Sequence, residues 1–202
     1  MKVVAWIAFL AYIAYFIGMV AMHVLPTGRQ PLYNTVSDYG VGRFGVAART
    51  LTAINVLGTL CLLASFLSIV GSPPLAGTGF IALAILALSR LGLVFFLTDE
   101  SGTKATRIGL VHALLALISF VAAISAITTI TKGIGSVPMW HGALPVLDVL
   151  ATLSTPLVIV LALSLLPRAR SIFGLTERLF LADVNLWLLV AAGVMALHGG
   201  SP

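Results

Sequence analysis

Arg90 lies in an apolar stretch running from Leu75 to Thr98, and Asn55, His112 and Asp183 lie in three other apolar stretches. Counted along helices at about 1.5 Å per residue, all four fall about 7–12 Å inside the ends of their stretches, at one level. A guanidinium in hydrocarbon costs about 2.5–3.5 kcal/mol on insertion scales, so it turns to a partner or a wet cavity. Asp183 is the acid nearest in depth, and the two are expected to pair or to share a hydrated pocket with Asn55 and His112. In such a pocket Arg90 would hold an anion, while His112, or Asp99 and Glu100 from the adjoining loop, would donate or take a proton. A plainer reading stands beside it. The ion pair would then lock the third helix to the sixth, and His112 would be an interhelical hydrogen-bonding residue. Asp99 and Glu100 would favour the N-terminus of the fourth helix through its dipole, with Ser101 or Thr103 capping its free N–H groups.

The elements that position these residues are membrane spans. Of 202 residues, 60% are hydrophobic and 8% charged, and the mean hydropathy is +1.14. Runs approaching the roughly 20 residues that cross a bilayer appear at about Val3–Leu25, Thr50–Val70, Leu75–Thr98, Arg107–Ile130, Leu144–Leu166 and Thr176–His198. The expected fold is therefore all-α, a polytopic bundle of six transmembrane helices forming one domain over residues 1–202. The first run follows only Lys2, lacks a cleavage site in a polar flank and is longer than a signal-peptide core, so it should stay attached.

The formal net charge of +5 comes from basic residues scattered through short loops, which speaks against nucleic-acid binding. Arg29, Arg43, Arg49, Lys104, Arg107, Arg168, Arg170 and Arg178 fall on the side of the first, third and fifth loops, against Lys2 and Lys132 on the other. By the positive-inside rule the basic side is cytoplasmic and both termini are outside. Cys61 is the single cysteine and sits in an apolar run, which excludes a disulfide framework and a cysteine zinc site. No metal and no cofactor are expected.

Other patterns carry less. Gly40-Val41-Gly42-Arg43-Phe44-Gly45 satisfies G-x-G-x-x-G, but a dinucleotide fingerprint needs a βαβ unit, and a membrane span follows here. What remains is a glycine-rich loop beside Arg29, Arg43 and Arg49, suited to a lipid phosphate or to snorkelling arginines. Asp148, Thr152 and Thr155 form a stripe on the fifth helix beside Pro156, and Thr52, Asn55 and Thr59 one on the second; together they would border a cavity or tie helices. Trp6 and Trp140 fall where belt aromatics belong, and Trp187 falls at mid-helix, where it packs. Of the four histidines, His23 and His112 fall toward the cytoplasmic face and His141 and His198 toward the outer one, but His141 falls in a loop and His198 at a fraying end, where haem ligands need rigid opposed positions.

Three stretches resemble the bacterial and archaeal membrane family known as domain of unknown function 998. They are Asn34-Thr-Val-Ser-Asp38-Tyr-Gly40, Leu93-Val-Phe-Phe-Leu-Thr98-Asp99 and Gly109-Leu-Val-His112-Ala-Leu-Leu-Ala-Leu-Ile-Ser-Phe120. Members often carry a proline just before the acid at Asp99, where this chain has Leu97-Thr98. The resemblance implies a six-helix membrane protein without a settled activity, and it directs attention to Ser37, Asp38, Gly40, Asp99 and His112.

Three functions fit these readings. The first is binding or modification of a lipid-like amphiphile at the cytoplasmic leaflet, with Arg90, Asp183, Asp38 and Asn55 as ligand-binding residues, Asp99, Glu100 and His112 as proton-transfer residues, and membrane lipids as partners. The second is proton-coupled or small-solute transport, for which six spans are few unless the protein forms a homo-oligomer. The third is a non-catalytic role as the assembly or sensory partner of another membrane protein.

Overall fold

Backbone N–H and C=O groups find no water in hydrocarbon, so an apolar span satisfies them internally as a helix. The computed structural model, which describes residues 2–69, 77–100 and 103–199, contains six such helices and, among those residues, no strand. They are α1 (Lys2–Val24), α2 (Gly45–Ile69), α3 (Thr78–Phe95), α4 (Arg107–Ile134), α5 (Leu144–Leu163) and α6 (Phe173–His198). Each is long and apolar enough to cross a membrane. The chain is a multi-pass membrane protein.

Helices adjacent in sequence pack together, and α6 returns to α1, so the six close into a ring. Small residues permit the close approaches. Ala5, Ala8 and Ala11 form the buried face of α1 with Tyr12, Gly58 of α2 lies against Ala11 and Tyr12, and Gly193 of α6 lies against Phe9. The sixth helix also touches α2 and α4, burying Ala191, Ala192 and Ala196. Outward faces such as Leu114, Leu117 and Val121 of α4 stay apolar and exposed, as a lipid solvent requires.

Buried polar atoms are stitched between helices. The Tyr12 hydroxyl donates to Thr59 Oγ1 at 3.0 Å, the Trp187 indole N–H to Thr131 Oγ1 at 2.9 Å, and the Ser164 and Thr176 hydroxyls meet at 2.8 Å. Trp187 is thus a packing residue, as expected. Trp140 is not a belt aromatic: it is buried and stacked on Phe66, with centroids 5.7 Å apart.

Several boundaries differ from those read in the sequence. The second helix begins at Gly45 and α6 at Phe173, because hydropathy marks only the hydrocarbon-length core and these helices continue past it. Conversely α3 stops at Phe95: Phe96 is extended, and its carbonyl turns to the His112 ring instead of continuing the helix. Val70 and Leu75 lie outside the described residues. The α5 stripe is also corrected. Asp148, Thr152 and Thr155 are exposed on the outer face, while Leu147, Ala151 and Ser154, one position earlier in each turn, face inward.

The N-terminus of α4 shows what Asp99 does. Thr106, rather than Thr103, is the cap: its hydroxyl oxygen accepts from the Gly109 N–H at 3.0 Å. Ser101 lies outside the described residues. Asp99 in turn accepts from the Thr106 N–H at 2.8 Å and the Thr106 hydroxyl at 2.7 Å, with Gly109 packed directly beneath its carboxylate. Those two bonds, the N–H first, hold the Asp99 carboxyl below its usual 3.8, and His112 adds to the effect. A carboxyl depressed in the folded state stabilises it fully above the unfolded value of about 4 and loses that contribution as pH falls through the folded value. Protection of the first α4 amides against hydrogen exchange should therefore drop only on the acid side of about pH 4. In Asp99→Ala it should be low throughout, with no acid-side step. Thr106→Val should cost about 1 kcal/mol of stability.

Candidate functional site

Arg90 is buried on the inner face of α3, at 6% exposure. Its Nη1 donates to Asn55 Oδ1 of α2 at 2.5 Å and to Asn185 Oδ1 of α6 at 3.2 Å. The two amides are themselves joined, Asn55 Nδ2 donating to Asn185 Oδ1 at 2.8 Å, and Asn185 Nδ2 donates to the Leu181 carbonyl at 2.6 Å. Three helices are thus clamped by one guanidinium through neutral oxygens. Among the described residues the single ion pair is Arg29 with Glu100, at 2.8 Å and outside this site. Among the described residues no carboxylate lies within ion-pair distance of Arg90.

This corrects the expected Arg90–Asp183 pair. Asp183 is buried, but its Oδ2 has no hydrogen-bond partner among the described residues. Helical phase explains why. Asp183 shares a stripe with Thr176, Phe180 and Trp187, whose contacts are Ser164 at the end of α5 and Phe120 and Thr131 of α4. Asn185, two positions on, is rotated about 200° from Asp183 and faces α2 and α3 instead.

A cavity of about 90 Å³ opens beside Arg90, bordered by Arg49, Thr52 and Asn55 of α2, His112 of α4 and Glu177 of α6. The 26–44 segment closes it at the loop end. Val36 N–H donates to the buried Glu177 Oε2 at 2.6 Å, and Leu175 N–H to the Leu32 carbonyl at 3.2 Å. Ser37 Oγ lies 3.0 Å from His112 Nε2, whose Nδ1 lies 2.7 Å from the Phe96 carbonyl. The turn that presents Ser37 is organised by Asp38, whose Oδ2 accepts from the Thr35 N–H at 2.9 Å and from Asn34 Nδ2 at 3.3 Å. Next to the polar cavity runs an apolar cleft of about 150 Å³ between α1 and α6, lined by Phe16, Val20 and Ala182. Tyr15, Met19, Val36 and Leu181 border both spaces.

Of the residues singled out in the sequence, Arg90, Asn55 and His112 meet in one cavity. Asp38 stands behind its wall as a turn-forming residue, Asp99 braces the α4 cap residue Thr106, and Glu100 engages Arg29 at the surface; Asp183 faces another way. The glycine-rich loop is held by Arg29 reaching the Val41 carbonyl at 3.4 Å, with Gly42 at φ 98°, a left-handed conformation natural to glycine. Sequence reading missed Glu177, Asn185 and Tyr15. Glu177, Leu181 and Asn185 recur every fourth residue along one face of α6, and that spacing was the available signal. No group of three or more histidine, cysteine or acidic side chains suited to a metal occurs among the described residues.

The model of a family described as "Protein of unknown function (DUF998)" matches residues 9–194, which takes in all three stretches noted in the sequence and every residue around the cavity. No curated protein and no solved structure matches the chain.

Proposed function

The chain belongs to the DUF998 family, and from its cavity we propose that it binds or modifies an anionic amphiphile, drawn from the cytoplasmic leaflet. The observation that carries this reading is the junction of two unlike spaces. A polar cavity holds a buried guanidinium paired, among the described residues, with amide oxygens, and an apolar cleft between α1 and α6 lies beside it across a wall of Tyr15, Met19, Val36 and Leu181. An anionic headgroup would take the place of the carboxylate that Arg90 lacks, with Arg49 as a second cation whose Nε is already steadied by the Gly45 carbonyl. An alkyl chain would fill the cleft beside Phe16 and Val20. The basic side of the protein favours the cytoplasmic leaflet, whose surface carries anionic lipid.

Native mass spectrometry of protein extracted in mild detergent tests the reading. Wild type should carry an anionic amphiphile, and Arg90→Met, which keeps the volume and loses the charge, should carry none while remaining monodisperse on size exclusion. If wild type carries nothing and Arg90→Met leaves the lipid profile of cells unchanged, the proposal fails.

A further inference from the structure

Amphiphile binding needs Arg90 and the cleft but makes no use of the Ser37–His112 contact in the same cavity wall. We infer that Ser37 and His112 are a nucleophile and its general base, and that the bound amphiphile is an ester cleaved at this pair. The inference rests on the binding reading above and adds a reaction to it.

The hydrogen-bond order decides the roles. A carbonyl oxygen can only accept, so at 2.7 Å from the Phe96 carbonyl it is His112 Nδ1 that carries the ring proton. Nε2 of the neutral ring is then a bare acceptor, and the Ser37 hydroxyl, 3.0 Å away, donates to it. A serine hydroxyl donating to an imidazole whose far nitrogen is fixed by an acceptor is the arrangement that activates serine for attack. Here a main-chain carbonyl occupies the orienting position. Both partners are held in place. His112 is on the buried side of α4, at 8% exposure, and Ser37 begins the short 3-10 turn that Asp38 and Thr35 fasten from behind. Both border the cavity that Arg90 and Arg49 also line, so an ester whose anionic group sits on those arginines would share one cavity with the pair.

The step balances with water as the second substrate. Ser37 Oγ bonds to the acyl carbon while its proton passes to His112 Nε2. The ester C–O bond then breaks, and the departing oxygen takes that proton and leaves as an alcohol. Water next attacks the acyl-serine, gives a proton to Nε2, and the acyl–Oγ bond breaks with the proton returning to Ser37. Ester and water become alcohol and carboxylic acid, with no change of oxidation state.

A fluorescent alkyl fluorophosphonate, which bonds to activated serines and carries its own apolar chain, is the probe for full-length protein in nanodiscs. Wild type should be labelled, with peptide mass spectrometry placing the adduct on Ser37. Ser37→Ala should be unlabelled, and His112→Gln should be labelled about a hundredfold more slowly. A wild type labelled no more than heat-denatured protein, or Ser37→Ala labelled equally, overturns the inference. Native mass spectrometry of Ser37→Ala separates the two proposals. If Ser37→Ala retains the amphiphile and wild type is unlabelled, the nucleophile is wrong and binding stands. If wild type is labelled at Ser37 but neither protein retains an amphiphile, binding through Arg90 is wrong and the nucleophile stands.

Discussion

Asn185→Leu is expected to destabilise the bundle by about 2–4 kcal/mol, the largest loss of any single polar substitution away from the loops. The change deletes the oxygen that accepts from both Arg90 and Asn55, and a hydrogen bond to a charged group is worth about 1.5–3 kcal/mol, more when its loss leaves a buried charge uncompensated. The cost should come from Arg90 and not from the amide itself. Stability measured by thermal unfolding in nanodiscs should therefore return toward wild type in the triple variant Asn55→Leu, Asn185→Leu, Arg90→Met, where the whole buried polar set becomes apolar at similar volume. Adding Asp183→Leu to Arg90→Met should give no coupling beyond additivity, because the two side chains face different helices. A coupling above about 1 kcal/mol would restore the ion pair that the geometry denies. Asn185→Asp supplies the test in function: it offers Arg90 a carboxylate, so the fold should hold while amphiphile retention is lost, since the charge that recruits the ligand is then neutralised from within.

That cycle isolates what could be read from the chain alone. Hydropathy locates spans because each must cross a fixed thickness of hydrocarbon, and rise per residue gives depth within a span. Arg90, Asn55 and His112 were brought to one level by that reasoning, and they do meet. Depth does not give azimuth. Asp183 and Asn185 differ little in depth, yet their rotation about α6 sends one toward α4 and α5 and the other toward the guanidinium, a distinction that depends on which neighbours α6 contacts. The same absence of azimuth let Asp148, Thr152 and Thr155 pass for a cavity wall when they lie on the outer face. Glu177 was hidden for a different reason. Its role arises from a hydrogen bond to Val36, 141 residues away in sequence, and no local pattern encodes where a loop docks. Ser37 drew notice only through the family-like stretch around it, and its contact with His112, 75 residues on, came from the fold.

Loop docking is also where the second large effect is expected. Arg178, at the start of α6, places one guanidinium among five acceptors of the 26–44 segment and its surroundings. Nη1 donates to the carbonyls of Pro31 at 2.8 Å, Asn34 at 2.6 Å and Gly174 at 2.8 Å. Nε donates to His23 Nε2 at 2.8 Å and Nη2 to the Tyr39 hydroxyl at 3.2 Å, and the guanidinium carbon stands 5.4 Å from the Tyr39 ring centre. The planar fork of arginine suits this spread, and the ammonium of lysine, a point charge with three donors, does not. Arg178→Ala should cost about 2–4 kcal/mol, because two loop carbonyls lose their donor along with the cation–π contact. Arg178→Lys should recover less than half of the loss. The readout that marks loop release is limited proteolysis within residues 26–44, faster by about the factor of ten that 1.4 kcal/mol of local opening implies. Gly174→Ala reaches the same place by sterics alone: its Cβ would press on the main-chain carbonyl oxygens of Asn34 and Pro31, which have no flexible side chain to yield. An overpacking cost of about 1–3 kcal/mol should again lift the segment. Because that segment carries Ser37, both variants should lose fluorophosphonate labelling in proportion to their protease sensitivity. Labelling that persists on a released loop would mean Ser37 is reactive without His112, and the pair would then be a tether between the loop and α4 with no part in bond cleavage.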